Sequence, residues 1–181
     1  GVQSISTWTF MRFSFGGTSL PARKLTHALG KVHVKRIVQP KHPVAMEMSM
    51  SEMIAIPTLA GGATFPAYVA RPASTPRAAI IVIPEIFGVN PGIRQKCDKW
   101  AADGYLAVAP DLFWRFAPGV ELDPDIDAQL QEAFGYFGQY DANDGVLDIE
   151  AAIHWIRREA GVAKVGCVGY CLGGRLAYMA A

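Results

Sequence analysis

Residues 164–181 read KVGCVGYCLGGRLAYMAA, and the turn inside this stretch decides the fold. A short apolar run ends at Val168, a Gly-Tyr-Cys-Leu-Gly-Gly turn follows, and the last residues form helix readily, so the turn joins a buried strand to a helix. A dinucleotide fingerprint needs G-x-G-x-x-G, and no G-x-G stands at this turn. A phosphate loop needs G-x-x-x-x-G-K-[ST]; Gly169 and Gly174 have that spacing, but Arg175 and Leu176 stand where the lysine and the hydroxyl belong. What does match is G-x-C-x-G, from Gly169 to Gly173, with Cys171 at its centre. A nucleophile on such a turn occupies a strained backbone conformation, and small residues two positions to either side leave room where the chain folds back. The first turn of the following helix then aims its unpaired N–H groups and positive dipole end at the sulfur. A buried cysteine in a glycine turn has the same sequence, since free cysteine is among the most buried residue types. The motif alone leaves both open.

Upstream, the pattern supplies the rest of a sheet. MIAIPTL (53–59) and TFPAYVA (64–70) flank AGGA and predict a hairpin with a Gly-Gly turn. AAIIVIP (78–84) is a continuous apolar run, the mark of a strand covered on both faces. IRQKCDKWAADG (93–104) sets Ile93, Cys97, Trp100 and Ala101 at helical spacing and stops at Gly104. YLAVAPDLF (105–113) is a second buried strand, DIDAQLQEAFGYF (125–137) and DGVLDIEAAIHWIRR (144–158) predict helices, and the strand before Cys171 is the third. Buried strands alternating with helices give an α/β fold, a mostly parallel sheet with helices on both faces and its sites at the carboxyl ends of the strands.

Composition divides the chain. Residues 1–46 hold seven basic side chains and no acidic one, whereas the remainder holds ten basic and sixteen acidic. The first 45 residues show no sustained periodicity and no apolar secretory core, and predict a basic leader, disordered or not native, ahead of a domain over 46–181. No apolar run approaches the roughly 20 residues of a membrane helix, and neither a membrane nor a nucleic-acid partner is expected. The three cysteines, Cys97, Cys167 and Cys171, are sparse and odd in number, which suggests no disulfide framework and fits a reducing compartment, the cytoplasm. Cys167 and Cys171 lack C-x-x-C spacing and a nearby histidine, so no metal or dithiol chemistry is expected, and no cofactor. Cys97 is expected in the core and His154 on the surface.

A second stretch bears on the thiol. VIPEIFGVNPGIR (82–94) leaves a buried strand with Glu85 at its carboxyl end, between apolar neighbours that would partly enclose it. In an α/β-hydrolase the loop after this strand supplies one oxyanion N–H and the residue after the nucleophile the other, here Ile86 and Leu172.

PEIFGVN, GYLAVAPDLFWR, APGVELDP and VGYCLGGRLAY together resemble the dienelactone hydrolase family of α/β-hydrolases, from about Met53 to the end of the chain. The family's nucleophile is a cysteine in this turn, and its carboxymethylenebutenolidase members open a lactone ring in aromatic degradation. The resemblance implies that Cys171 attacks the carbonyl of a small lactone or ester and forms an acyl-enzyme, that Leu172 and Ile86 donate backbone N–H groups to the oxyanion, and that Glu85 contacts the resting thiol and controls its ionisation. In this fold the acid and the histidine follow the nucleophile, whereas ten residues follow Cys171. The chain therefore reads as the N-terminal portion of the domain, without its triad Asp and His and inactive alone. A non-catalytic α/β binding domain that keeps the turn for structural reasons is the alternative.

Overall fold

The continuous apolar runs become the centre of a six-stranded sheet. In the computed structural model, residues 50–181 are described, together with the backbone of residues 11–12; apart from that pair, the expectation for the basic leader lies outside the described residues. The strands are β1 (Met11–Arg12), β2 (Met50–Pro57), β3 (Thr64–Arg71), β4 (Ala79–Ile83), β5 (Leu106–Pro110) and β6 (Val165–Gly169). They lie in the order β1-β6-β4-β5-β3-β2.

The three central strands are parallel, Ile81 facing Val108 of β5 and Cys167 of β6. Every residue of β4 and β5 is buried, as an uninterrupted apolar strand requires when helices cover both faces. The predicted hairpin forms as β2 and β3 and joins the sheet antiparallel along β5, with Val69 opposite Val108. Beyond β6, the backbone of Met11 and Arg12 pairs antiparallel with Cys167 and Gly166.

Helix α1 (Pro91–Ala102) covers one face, where Ile93, Cys97 and Ala101 pack on Ile80, Val82, Ala107, Ala109 and Val168. Helices α2 (Asp127–Gln139), α3 (Ala142–Arg158) and α4 (Leu172–Met179) contribute to the other. Ile149, Ala152 and Ile156 of α3 and Leu176 of α4 meet Ile81, Ile83, Leu106 and Val108 there. Alternation along each strand thus divides the core: Ile80 and Val82 point one way, Ile81 and Ile83 the other. Cys97 is wholly buried and His154 is exposed on α3, as their positions in the pattern imply.

Two buried carboxylates organise the connection after β5. Asp111 accepts the N–H groups of Phe113 and Gly119 at 3.0 and 2.7 Å. Asp148 of α3 accepts the Trp114 indole at 3.0 Å and two guanidinium nitrogens of Arg115 at 2.7 and 3.1 Å. Burial pushes both carboxyls above their ordinary range, against the pull of these donors.

Candidate active site

The turn after β6 holds an unusual backbone conformation. Cys171 has φ 49° and ψ −111°, and it is the one non-glycine residue with positive φ among those described. An L side chain adopts such a conformation only when its surroundings over-determine it. The surroundings are visible in the neighbouring glycines. A Cβ on Gly169 would stand 2.5 Å from the Gly174 nitrogen and closer still to the Gly173 carbonyl. One on Gly173 would stand 2.7 Å from the Pro84 carbonyl oxygen and closer to that of Ile83. Strand end, turn and helix start are therefore in backbone contact; of the two side chains between the flanking glycines, Tyr170 packs against the core and Cys171 is exposed.

Hydrogen bonds hold this geometry. Tyr170 N donates to the Ile83 carbonyl at 3.2 Å, tying the turn to the end of β4. Gly173 N donates to Tyr170 O at 2.8 Å and Gly174 N to Cys171 O at 3.0 Å, closing the first turn of α4. Cys171 is exposed, whereas Cys97 and Cys167 are buried. Burial pushes Cys97 up to about 12 and Cys167 up to about 11, so both remain thiols at any physiological pH.

Glu85 and Ile86 follow directly on the Pro84 carbonyl that excludes a side chain from Gly173. Glu85 is half-buried and Ile86 is 7% exposed. Burial pushes the Tyr170 hydroxyl up to about 12, and the Glu85 charge acts in the same direction, placing that carboxylate within electrostatic reach of the residue before Cys171. The ammonium of Lys96 lies 4.8 Å over the Tyr170 ring from the α1 side. Neither the Ile86 amide nor the Leu172 amide, at the first position of α4, has an acceptor among the described residues. His154 is not part of this group; its ring is on the exposed face of α3, 3.9 Å from Glu150.

Sequence reasoning did not single out Asn90, which ends the loop carrying Glu85 and Ile86. Its Oδ1 accepts Ile93 N at 3.1 Å and caps α1, so the helix begins at Pro91 rather than Ile93. Asn followed by Pro before a periodic run was the available signal, since proline favours the first helical position.

The group consists of an exposed thiol in a strained strand-to-helix turn, two amides without acceptors and a carboxylate at the neighbouring strand end. Such a set can attack an acyl carbon and hold the resulting oxyanion. Comparison with known proteins bears on the family. The model of the dienelactone hydrolase family matches residues 65–181. A carboxymethylenebutenolidase of Pseudomonas putida is 45% identical over 121 residues, 66% of this chain and 51% of that protein. Carboxymethylenebutenolidase 1 of Cupriavidus pinatubonensis is 35% identical over 130 residues, 71% of this chain and 55% of that one. The chain thus spans about half the length of the curated relatives it matches. A crystal structure from Klebsiella pneumoniae, described as a candidate dienelactone hydrolase, superimposes with a TM-score of 0.63 at 32% identity, over 75% of this chain and 55% of that one.

Proposed function

The chain belongs to the dienelactone hydrolase family of α/β-hydrolases, and from that premise we propose that Cys171 is the nucleophile of a hydrolase acting on a small lactone or ester through an acyl-enzyme. One observation carries this reading: the exposed thiol stands at φ 49° in a turn whose flanking glycines admit no side chain. Strain of this kind persists where it serves to present a group, and a buried structural cysteine needs no such conformation.

In the proposed reaction the Cys171 thiol gives its proton to a base, solvent for these 181 residues and a side chain in a protein that carries one, as the sulfur adds to the carbonyl carbon and the carbonyl π electrons move to oxygen. The Leu172 and Ile86 amides donate to that oxyanion. As the tetrahedral species collapses, the carbon–oxygen bond to the leaving group breaks and a thioester remains. For a lactone the leaving alkoxide stays attached through the opened ring and takes up a proton; water then adds to the thioester and returns the thiol. Glu85 is assigned a role before the first step, as the carboxylate at the neighbouring strand end that contacts the resting thiol.

A base and an acid are needed for the proton transfers of repeated turnover. In this fold those residues follow the nucleophile later in the chain, so steady catalysis is proposed for a protein that includes them. These 181 residues alone are expected to be acylated once and not to turn over. We propose substrates of the class opened by the carboxymethylenebutenolidases, a reaction that would belong to aromatic degradation. The unpaired cysteines fit a reducing compartment such as the cytoplasm.

The test is mass spectrometry of the purified 181-residue chain after exposure to an activated ester such as 4-nitrophenyl acetate. A single acyl group on the peptide containing Cys171, absent from Cys171→Ala, is the expected result. No adduct on Cys171 would overturn the assignment and favour a non-catalytic α/β binding domain.

A further inference from the structure

The loop that carries Glu85 and Ile86 is braced from its far side by a segment with no part in the chemistry above. Residues 119–122 run beside residues 87–90: Gly88 forms an antiparallel bridge with Glu121, and Leu122 N donates to the Phe87 carbonyl at 2.9 Å. The approach leaves no space at Gly88, φ 72°, where a Cβ would lie 2.7 Å from the Val120 carbonyl carbon and nearer still to its oxygen. The brace is itself anchored. Gly119 N donates to buried Asp111 at the end of β5, and Glu121 pairs with Arg94 of α1.

Asn90 joins the three parts. Its Oδ1 accepts Ile93 N at 3.1 Å in the first turn of α1, and its Nδ2 donates to the Leu122 carbonyl at 3.0 Å in the brace. The orientation is fixed by chemistry, because the reverse flip would set donor against donor and acceptor against acceptor. Capping alone does not call for this residue: Ser and Asp cap a helix about as well as Asn. Asp has no donor for the brace, and Ser has a single, shorter-reaching oxygen where Asn meets its two partners with two separate atoms. An amide side chain supplies an acceptor and a donor at once.

We infer that Asn90 is a positioning residue for the Ile86 amide, holding the loop 85–90 against the brace so that this N–H stays aimed at the place where the oxyanion forms. The inference rests on the reading of Cys171 as nucleophile. Oxyanion donors act only at short range and in the right direction. Displacements of about 1 Å from a change outside the chemistry can lower a rate on the order of a hundredfold.

Two reactions of the same thiol separate this role from a structural one. Acylation by 4-nitrophenyl acetate passes through an oxyanion, whereas alkylation by iodoacetamide displaces iodide at a saturated carbon and does not. Both rates are measured on the full 181-residue chain and on Asn90→Ser and Asn90→Asp, with Cys171→Ala as the blank and a thermal melt of each variant. The expected result is an acylation rate lower by on the order of tenfold or more in both variants, with alkylation unchanged and the melting temperature lower by no more than a few degrees, since the cap is retained and one hydrogen bond is lost. Wild-type acylation in either variant overturns the inference and leaves Asn90 a cap. A parallel fall of acylation and alkylation also overturns it, since the thiol itself would then be disturbed. Wild-type acylation no faster than the Cys171→Ala blank removes the nucleophile reading, and the inference with it.

Discussion

Gly169, Gly173 and Gly174 occupy one turn, yet alanine should have opposite effects among them. At Gly169 the new methyl would lie 2.5 Å or less from the backbone of Gly173 and Gly174, well inside the 3.0 Å below which Cβ atoms essentially never come. At Gly173 it would meet the Ile83 and Pro84 carbonyl groups in the same way. All the opposing atoms are backbone, and on one side they belong to β4, which is buried throughout. Relief therefore requires moving either the turn or the central strand, and overpacking of this kind costs about 3 kcal/mol or more. Gly174 differs. Its Cβ would meet the Gly169 carbonyl oxygen at 3.6 Å, an ordinary contact, inside a helix where alanine is favoured over glycine by about 1 kcal/mol. Thermal melts of the three variants should show Gly169→Ala and Gly173→Ala falling by roughly 10 °C or failing to fold, at roughly 3–4 °C per kcal/mol for a domain of this size. Gly174→Ala should melt at or slightly above wild type. A Gly169→Ala melt within 2 °C or so of wild type, about half a kcal/mol, would refute the claim that backbone contact enforces the turn. So would a Gly174→Ala variant as unstable as the other two.

Iodoacetamide at pH 8 should modify Cys171 alone, because thiols pushed up to about 12 and 11 hold only about one part in a thousand or less as thiolate there; rapid alkylation of Cys171→Ala in its folded state would contradict this. Glu85→Gln removes the carboxylate proposed to contact the resting thiol and should change the rate of Cys171 alkylation several-fold, and an unchanged rate would remove Glu85 from the thiol's surroundings. Burial holds the folded pKa of Asp148 above its unfolded value near 4, despite the opposing Arg115 and Trp114 donors. The folded state then binds more protons than the unfolded one as pH falls through that window, so this group's contribution to stability rises as pH falls. Stability of wild type relative to Asp148→Asn should accordingly increase as pH falls from neutrality towards about 4, and a decrease over that range, read from melts of the two proteins, would show the sign to be wrong.

Much of the architecture is local and therefore legible in the chain. Apolar runs such as 78–84 declare strands buried on both faces, the stripe through Ile149 and Ile156 declares the buried side of α3, and both lie where periodicity places them. The Gly-Tyr-Cys-Leu-Gly turn is legible as a motif of consecutive residues, although only Gly169 answers to atoms of the turn itself, while Gly173 makes room for the Ile83 and Pro84 carbonyls at the end of β4. Other features required the tertiary structure. That the β2–β3 hairpin extends the sheet along β5 follows from pairing between distant residues, for which alternation along a strand carries no signal. Asp111, Arg115 and Asp148 look in sequence like the charges of a solvated loop and helix, and only the closure of α3 over the end of β5 buries the two carboxylates beside their donors. Asn90 is half legible. Its position before Pro91 marks a helix start, but its bond to the Leu122 carbonyl exists only because the chain returns alongside it 32 residues later. The chemistry at the turn is written into consecutive residues; the bracing of the loop opposite it is assembled from segments that meet only in the fold, because hydrogen bonds between distant segments depend on the packing that brings them together.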